Sequence, residues 1–387
     1  AVAGTHPTNL AFWHMANYVG GFVGQILNGT APAPAPVPPF AGTASSPVAA
    51  QDPGLKWMDA HELGLEGQGF APPKAPAYGR LPYASAEAVG AGLWGLAQDS
   101  SGLLVRFQTD APAVQINVVR NITSSAQDDI MPFNGRFGLD AYVQDPATGR
   151  WRWATTSAGD SEKSNETMVL SDMTPLPANT ARNFTVYLPT HCPATAVRVG
   201  VPASASLAPL RPYAGQRSVV VWGSSIAQGG VVSNAGMTWP SCLGRLLAKP
   251  IINLGFSGMC QMQTAVAAAI GQLDPKPAML LIDCLPNMDA ALVANRTVPV
   301  VHQLRQGRRK KERKEKRRRK EMDKGKTRNS ADGEDPGGGR VKIKRAREAQ
   351  SEGCAPTAVL ALSLSLSLSL SLSFVFSFFF SSFCFLF

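Results

Sequence analysis

The chain has 387 residues, of which 44% are hydrophobic, so two domains could each bury a core. The net charge of +10 is unevenly spread. Residues 305–350 hold 20 Lys and Arg against 8 Asp and Glu, a net +12, which leaves about −2 for the remainder. The high isoelectric point therefore belongs to one segment, and this excludes a basic folded body.

Residues 1–54 are interpreted as a leader and a linker. Residues 10–27, LAFWHMANYVGGFVGQIL, are moderately apolar without a basic flank, which fits either a surface helix or a cropped signal peptide. Residues 31–39, APAPAPVPP, form a polyproline-like spacer that marks a boundary. Five N-x-S/T sites slightly favour a secreted or extracellular protein: Asn28, Asn121, Asn165, Asn183 and Asn295.

Residues 55–210 alternate apolar and polar side chains in short runs. In one run Val114, Ile116 and Val118 are separated by Gln115 and Asn117. Similar runs end at Pro, Gly, Asp and Asn, as expected of strands that have one face in water. We therefore predict an N-terminal antiparallel β-sandwich over residues 55–210.

Residues 217–304 follow a different pattern. The segments SVVVW, IINL and AMLLID are continuous apolar runs, which is typical of parallel strands covered on both faces. Helix-like segments near 238–248 and 261–271 separate them. The second domain is therefore predicted to be a three-layer α/β unit with a parallel sheet.

The remaining chain is of low complexity. Residues 305–356 form a basic segment that we expect to be disordered, and residues 357–387 form an apolar Ser/Leu/Phe tail. Hydropathy alone would allow this tail to be a membrane anchor. Purine-only codons encode Lys, Arg, Glu and Gly, and a CT repeat encodes alternating Ser and Leu. We therefore favour translation into an intron over a genuine terminus, and no nucleic-acid partner is expected.

Three polar or glycine positions follow the ends of the predicted parallel strands. Ser225 follows the first strand, Gly258 the second and Asn287 the third. Carboxyl ends of parallel strands meet at one edge, where open α/β folds bind ligands. The N–H groups of Ser225 and Gly258 and the Asn287 amide could form an oxyanion hole. A serine at such a turn can also be only a helix N-cap.

The segments GSSIAQGG, NLGFSG and DCLPNM resemble three sequence blocks of the SGNH, or GDSL-like, hydrolase superfamily. The resemblance implies that Ser225 is the nucleophile and that Gly258 and Asn287 complete the oxyanion hole. YGRLP, RFGLDAYV and GRWRW are similar to the β-sandwich domain that precedes the catalytic domain in one subfamily. The subfamily motif G-x-D-L-Y reads Gly-Leu-Asp-Ala-Tyr at residues 138–142, a mild departure.

The catalytic His and Asp of that superfamily, spaced D-x-x-H, are absent from the printed sequence. His61 and His302 are not assigned as substitutes. The α/β domain is therefore predicted to be incomplete, with three strands where the family has five and an unpaired sheet edge. Loss of the base in a Ser–His system costs about 10⁶ in turnover, so the chain as written is expected to be nearly inert.

No two of the six cysteines have a metal-ligand spacing, and we expect scattered thiols rather than a disulfide framework. No cofactor or metal is implied. The sequence thus predicts a serine esterase acting on a small-molecule or carbohydrate ester, with a short acyl or acetyl group. The alternatives are a membrane-anchored protein or a non-catalytic glycan-binding protein that uses Trp151 and Trp153 for stacking.

Overall fold

The computed structural model describes residues 9–28, 54–122, 131–157, 163–171, 180–305 and 384–386. The predicted fold class is confirmed, because antiparallel sheets form the N-terminal part and a parallel sheet with helices forms the C-terminal part. The predicted linker, the basic segment and nearly all of the apolar tail lie outside the described residues. The domain boundaries stay predictions.

The sandwich consists of two antiparallel sheets, in the orders β1-β9-β4-β7 and β10-β3-β8-β5-β6, with β2 paired to β3. Its core is made by the inward-facing apolar positions of the alternating runs, such as Phe107, Ile116 and Val199. The strands are β1 (Leu55–Asp59), β2 (Leu65–Glu66), β3 (Leu104–Thr109), β4 (Val114–Arg120), β5 (Asp140–Gln144), β6 (Trp151–Thr156), β7 (Asn165–Leu170), β8 (Arg182–Tyr187), β9 (Ala194–Pro202) and β10 (Leu207–Pro209).

The third sheet belongs to the α/β part of the chain and has the order β12-β11-β13-β14. Its first three strands are parallel, and Gly223 at the end of β11 pairs with Gly255 of β12 and Asp283 of β13. These strand ends therefore lie side by side at one edge. The strands are β11 (Val219–Gly223), β12 (Ile251–Gly255), β13 (Met279–Asp283) and β14 (Cys384–Leu386).

Helices cover both faces of this parallel sheet. On one face α3 and α7 pack against Trp222 and its neighbours, and on the other α1 and α6 pack against Val221 and its neighbours. Three short helices and the longer α8 complete the set among the described residues. The helices are α1 (Asn9–Asn28), α2 (Ala60–Leu63), α3 (Ala86–Gln98), α4 (Phe133–Arg136), α5 (Ser225–Gln228), α6 (Trp239–Leu247), α7 (Thr264–Gln272) and α8 over 290–305.

Two helices reach this sheet from outside the predicted α/β segment. Helix α3 is contributed by the sandwich half, and its Leu93 is completely buried against the sheet. The predicted surface helix near the N-terminus forms as α1, but Ala16, Val19 and Val23 are buried against the sheet and α6. Among the described residues, no helix has the length and hydropathy that a membrane span requires.

The predicted unpaired edge at β13 is wrong. Strand β14 pairs antiparallel with β13, with Leu281 opposite Phe385. The prediction failed because it counted only the three parallel strands that the apolar runs indicate. A three-residue strand far along the chain, β14, occupies the position next to β13.

Candidate active site

Ser225 is the first residue of α5, immediately after the turn that follows β11. Its side chain is half-buried, and no hydrogen bond among the described residues uses its hydroxyl. The preceding Ser224 is completely buried, and its Oγ accepts the Ile226 N–H at 3.4 Å as the N-cap. The two hydroxyls thus have different environments, because Ser224 caps the helix and Ser225 stays available.

Gly258 lies in the turn that follows β12. Its φ of +69° is in the left-handed region, which favours glycine, and the space where a Cβ would project is open. The residue is exposed, and none of the hydrogen bonds formed within the described part of the chain engages its N–H. A backbone donor is therefore available at this edge of the sheet.

Asn287 ends the short 3₁₀ turn that follows β13. Its Oδ1 accepts the Cys260 N–H at 3.2 Å, and its own N–H donates to the Cys284 oxygen at 3.0 Å. The amide oxygen is thereby fixed by the loop that carries Gly258. The Nδ2 group forms no hydrogen bond with any other described residue, so a second donor is available beside the Gly258 loop.

A disulfide joins Cys260 of this loop to Cys284 at the end of β13. The prediction of scattered thiols is therefore wrong for this pair, although Cys192 and Cys242 are buried cysteines that are not disulfide-bonded. Sequence spacing could not reveal the bond, because the two cysteines are 24 residues apart and meet only when β12 and β13 both pair with β11. The bond links the two segments that carry Gly258 and Asn287.

The three predicted site residues thus follow three adjacent strand ends at one edge of the sheet. Gly223, Gly255 and Asp283 are in register, and Phe256 N–H donates to the Gly223 oxygen at 2.8 Å just beyond the ladder. Ser225 lies two residues past its strand, whereas Gly258 and Asn287 lie three and four residues past theirs. This arrangement suits the activation of a carbonyl group next to a hydroxyl.

No histidine of the described residues is hydrogen-bonded to Ser225. The His61 ring contacts Asp59 Oδ1 and the Ala77 oxygen, each at 3.0 Å, on the sandwich. His302 is exposed on α8, and the Nδ1 atom of His191 lies 2.9 Å from Thr190 Oγ1. The structure therefore offers no described substitute for the absent D-x-x-H pair.

Arg80 of the YGRLP motif is a functional candidate that the sequence analysis did not identify. It is buried, and its guanidinium donates to the Gly255 oxygen at 2.6 Å and the Asp99 oxygen at 2.8 Å. It also lies over the Phe256 ring, with its Cζ atom 4.9 Å from the ring centroid. A cation of the N-terminal half therefore fixes the end of β12, just before the Gly258 loop.

The other two motifs of the sandwich also contact the α/β part of the chain. Asp140, the acidic residue of the Gly-Leu-Asp-Ala-Tyr motif, accepts the Gly236 N–H at 2.8 Å and the Trp153 indole N–H at 2.9 Å. Trp151 and Trp153 are half-buried against a cluster that contains Tyr142. This packing supports a structural role for the two tryptophans, and no observation favours glycan stacking.

Three buried carboxyl groups near the interface have raised pKa values. Burial raises the pKa of Asp99 to about 7, although Arg80 and Gln228 lower it in part. Burial likewise raises the pKa of Asp140 to about 6, against the opposing charge of Arg245. Burial alone raises the pKa of Asp283 well above its usual value. These three carboxyl groups therefore hold their protons to a higher pH in the folded protein than an ordinary aspartate does.

We therefore expect the free energy of unfolding to be higher at pH 5 than at pH 8. Unfolded aspartates titrate near pH 4, so between about pH 4 and pH 7 the folded chain holds protons that the unfolded chain has released. Stability then falls as pH rises through this window, by about 1.4 kcal/mol for each unit of pKa difference. Urea denaturation at both pH values measures this, and Asp99→Asn should flatten the dependence. Greater stability at pH 8 would contradict it.

A separate cleft of about 450 Å³ lies at the opposite end of the sheet, between the two halves of the chain. His61, Glu66, Arg211, Tyr213 and Asp274 contribute to its lining, whereas Ser225, Gly258 and Asn287 do not. This cleft is therefore separate from the sheet edge that carries Ser225, Gly258 and Asn287.

Two family models match adjoining parts of the chain. Residues 55–207 match the N-terminus of Esterase_SGNH_hydro-type, and residues 216–314 match the GDSL-like Lipase/Acylhydrolase family. A comparison with curated proteins finds no match.

Solved structures with a related fold include a Bacteroides ovatus ATCC 8483 protein described as a GDSL-like lipase. It is 26% identical with a TM-score of 0.59, and the match covers 65% of this chain and 71% of that one. The salicylyl-acyltransferase SsfX3 from a tetracycline biosynthetic pathway is 20% identical, with a TM-score of 0.45 and coverage of 69% and 71%. A family two carbohydrate esterase from Cellvibrio japonicus is 11% identical, with a TM-score of 0.40 and coverage of 65% and 76%.

Proposed function

Residues 55–207 and 216–314 belong to the SGNH, or GDSL-like, hydrolase family, and from that premise we propose that Ser225 is the nucleophile of a carboxylic ester hydrolase. The chain is an esterase-type hydrolase of that family. In this proposal the Ser225 N–H, the Gly258 N–H and Asn287 Nδ2 form the oxyanion hole. The observation that carries it is the Asn287 amide, whose oxygen is held by the Cys260 N–H while its nitrogen stays available.

In the proposed reaction Ser225 Oγ attacks the carbonyl carbon of the ester and releases its proton to solvent water, which returns a proton to the departing alcohol oxygen. The carbonyl oxygen becomes negatively charged in the tetrahedral intermediate, and the three N–H donors stabilise it more strongly than the neutral carbonyl oxygen. Collapse of the intermediate expels the alcohol and leaves an acyl-serine, which water hydrolyses. The left-handed backbone at Gly258 serves this step because it leaves one donor exposed at the sheet edge.

The rate of the polypeptide with the printed sequence should be low. Ser225 has no hydrogen-bonded base within the described chain, and D-x-x-H does not occur in the 387 residues. A serine hydroxyl without a base is a weak nucleophile. Oxyanion stabilisation and binding alone retain about 10³–10⁴ in rate over water, so we propose measurable but weak turnover.

We further propose that the substrate is a short-acyl ester, such as an acetyl ester, of a small molecule or a carbohydrate. This part of the proposal rests on the family, and a series of ester substrates tests it. Aryl acetate, butyrate and octanoate at equal concentrations test the acyl length, and an acetylated disaccharide tests the alcohol. Preference for the octanoate would overturn the short-acyl assignment.

A fluorophosphonate probe tests the nucleophile directly, because its phosphorus is attacked by a nucleophilic serine hydroxyl and its phosphoryl oxygen occupies the oxyanion hole. We expect a single adduct by intact mass spectrometry, mapped by peptide sequencing to Ser225. Circular dichroism establishes that the labelled protein is folded. An adduct on another residue, or no adduct after prolonged incubation of folded protein, would overturn the proposal.

A further inference from the structure

Gln228 occupies the last position of α5, three residues after Ser225, and it is completely buried. Its Nε2 donates to Asp99 Oδ2 at 2.8 Å and to the Thr190 oxygen at 3.3 Å. Its Oε1 accepts the Ser257 N–H at 2.8 Å. Both ends of the amide are therefore used, and a buried amide that loses these partners pays a desolvation penalty.

The partners of Gln228 come from three different parts of the fold. Asp99 follows α3 and Thr190 follows β8, so both belong to the N-terminal half. Ser257 lies in the turn after β12 and directly precedes Gly258. One side chain therefore connects the N-terminal half, the helix that begins with Ser225 and the loop that carries a proposed oxyanion donor.

The backbones of α5 and this loop are also in close contact. A Cβ at Gly255 would lie 2.2 Å from the Gln228 backbone nitrogen, so only glycine fits there. Asn253 supports the same approach, because its Nδ2 donates to the Ala227 oxygen and its Oδ1 accepts the Gly255 N–H, each at 2.8 Å. The Gln228 amide therefore acts on a backbone that has little freedom to shift.

We propose that Gln228, hydrogen-bonded to Asp99 of the N-terminal half, is a positioning residue that orients the Gly258 N–H toward the oxyanion. This inference rests on the proposed function, since it presumes that Gly258 is an oxyanion donor. The hydrogen bond to Ser257 fixes the peptide plane next to that of Gly258. Misplacement of a catalytic group by about 1 Å can cost about 10²-fold in rate, so this contact matters for chemistry as well as for stability.

The test compares variants by the rate of fluorophosphonate labelling of Ser225, separated into an affinity for the probe and a maximal labelling rate. Gln228→Ala is expected to lower the maximal rate about 10- to 100-fold and to leave the affinity within about threefold. Asp99→Ala should have a similar effect, because the Gln228 amide loses the nearer of its two acceptors. Asp99→Asn retains an acceptor oxygen at the same place and should restore the rate to within about threefold.

Asn117→Ala is the matched control for a lost buried amide. Asn117 is buried in the sandwich, where its Nδ2 donates to Asn165, Glu166 and Thr167. This variant should lose stability without a change in labelling rate. Equal losses of rate in Gln228→Ala and Asn117→Ala would overturn the inference, as would an unchanged rate in Gln228→Ala.

Failure of the inference is distinguishable from failure of the proposed function. If Ser225→Ala abolishes labelling while Gln228→Ala and Asp99→Ala label normally, the function stands and the positioning role is wrong. If Ser225→Ala still labels, the proposed function itself fails. If Gln228→Ala does not fold, the labelling rates of Asp99→Ala and Asp99→Asn test the same hydrogen bond through its acceptor. A slow Asp99→Ala and a normal Asp99→Asn support the positioning role, whereas equal rates overturn it.

Discussion

Ser225→Ala is expected to abolish fluorophosphonate labelling and to lower the rate of aryl acetate hydrolysis, because no acyl-serine can form. The substitution removes the half-buried Ser225 hydroxyl just after β11, which forms no hydrogen bond with any described residue. The neighbouring helix cap stays intact, because it is formed by Ser224. Labelling is measured by intact mass and hydrolysis by release of the phenolate, with the unfolding midpoint recorded for each variant.

Ser224→Ala is the matched control for Ser225→Ala. Ser224 is adjacent and has the same side chain, but it is completely buried and caps α5. Loss of an N-cap costs about 1 kcal/mol, so this variant should be less stable and yet label at Ser225. The assignment fails if Ser224→Ala loses the label while Ser225→Ala retains it.

Asn287→Ala is expected to lower the acylation rate of Ser225 by about 10²–10³-fold, the usual effect of removing one oxyanion donor. The reason is loss of the Nδ2 donor, which faces no described partner because Oδ1 is held by the Cys260 N–H. The rate is followed as release of phenolate from an aryl acetate or as fluorophosphonate labelling.

Asn287→Asp separates catalysis from loop anchoring. A carboxylate can still accept the Cys260 N–H at 3.2 Å, so the anchor is retained, but it offers no donor to the oxyanion. We expect this variant to be at least as slow as Asn287→Ala. A rate close to that of the wild type would show that Asn287 serves only to anchor the loop.

Much of the fold could be predicted from sequence because the deciding patterns are local. Alternation over 114–118 predicts a strand with one buried face, and the structure has β4 there with its apolar side chains in the sandwich core. The continuous runs that became β11, β12 and β13 predict a doubly covered sheet. The edge that carries Ser225 follows from these runs alone, since parallel strands align their carboxyl ends.

The contacts between the two halves could not be predicted in the same way. Gln228 and Asp99 are 129 positions apart, and Arg80 and Gly255 are 175 apart. Each is a single polar residue or glycine without periodicity, so nothing local identifies its partner. Their membership in the GSSIAQGG and YGRLP motifs was the available signal for Gln228 and Arg80, but it does not say what each side chain binds.

The buried guanidinium of Arg80 has a consequence for how such proteins can be recombined. Its donors reach the Leu96 and Asp99 oxygens on one side and the Asn253 and Gly255 oxygens on the other. Exchange of the N-terminal half for that of a relative would leave the carbonyls of β12 without donors unless the incoming half supplied an equivalent arginine. A working chimera therefore needs an incoming N-terminal half that places a buried donor against the Asn253 and Gly255 oxygens.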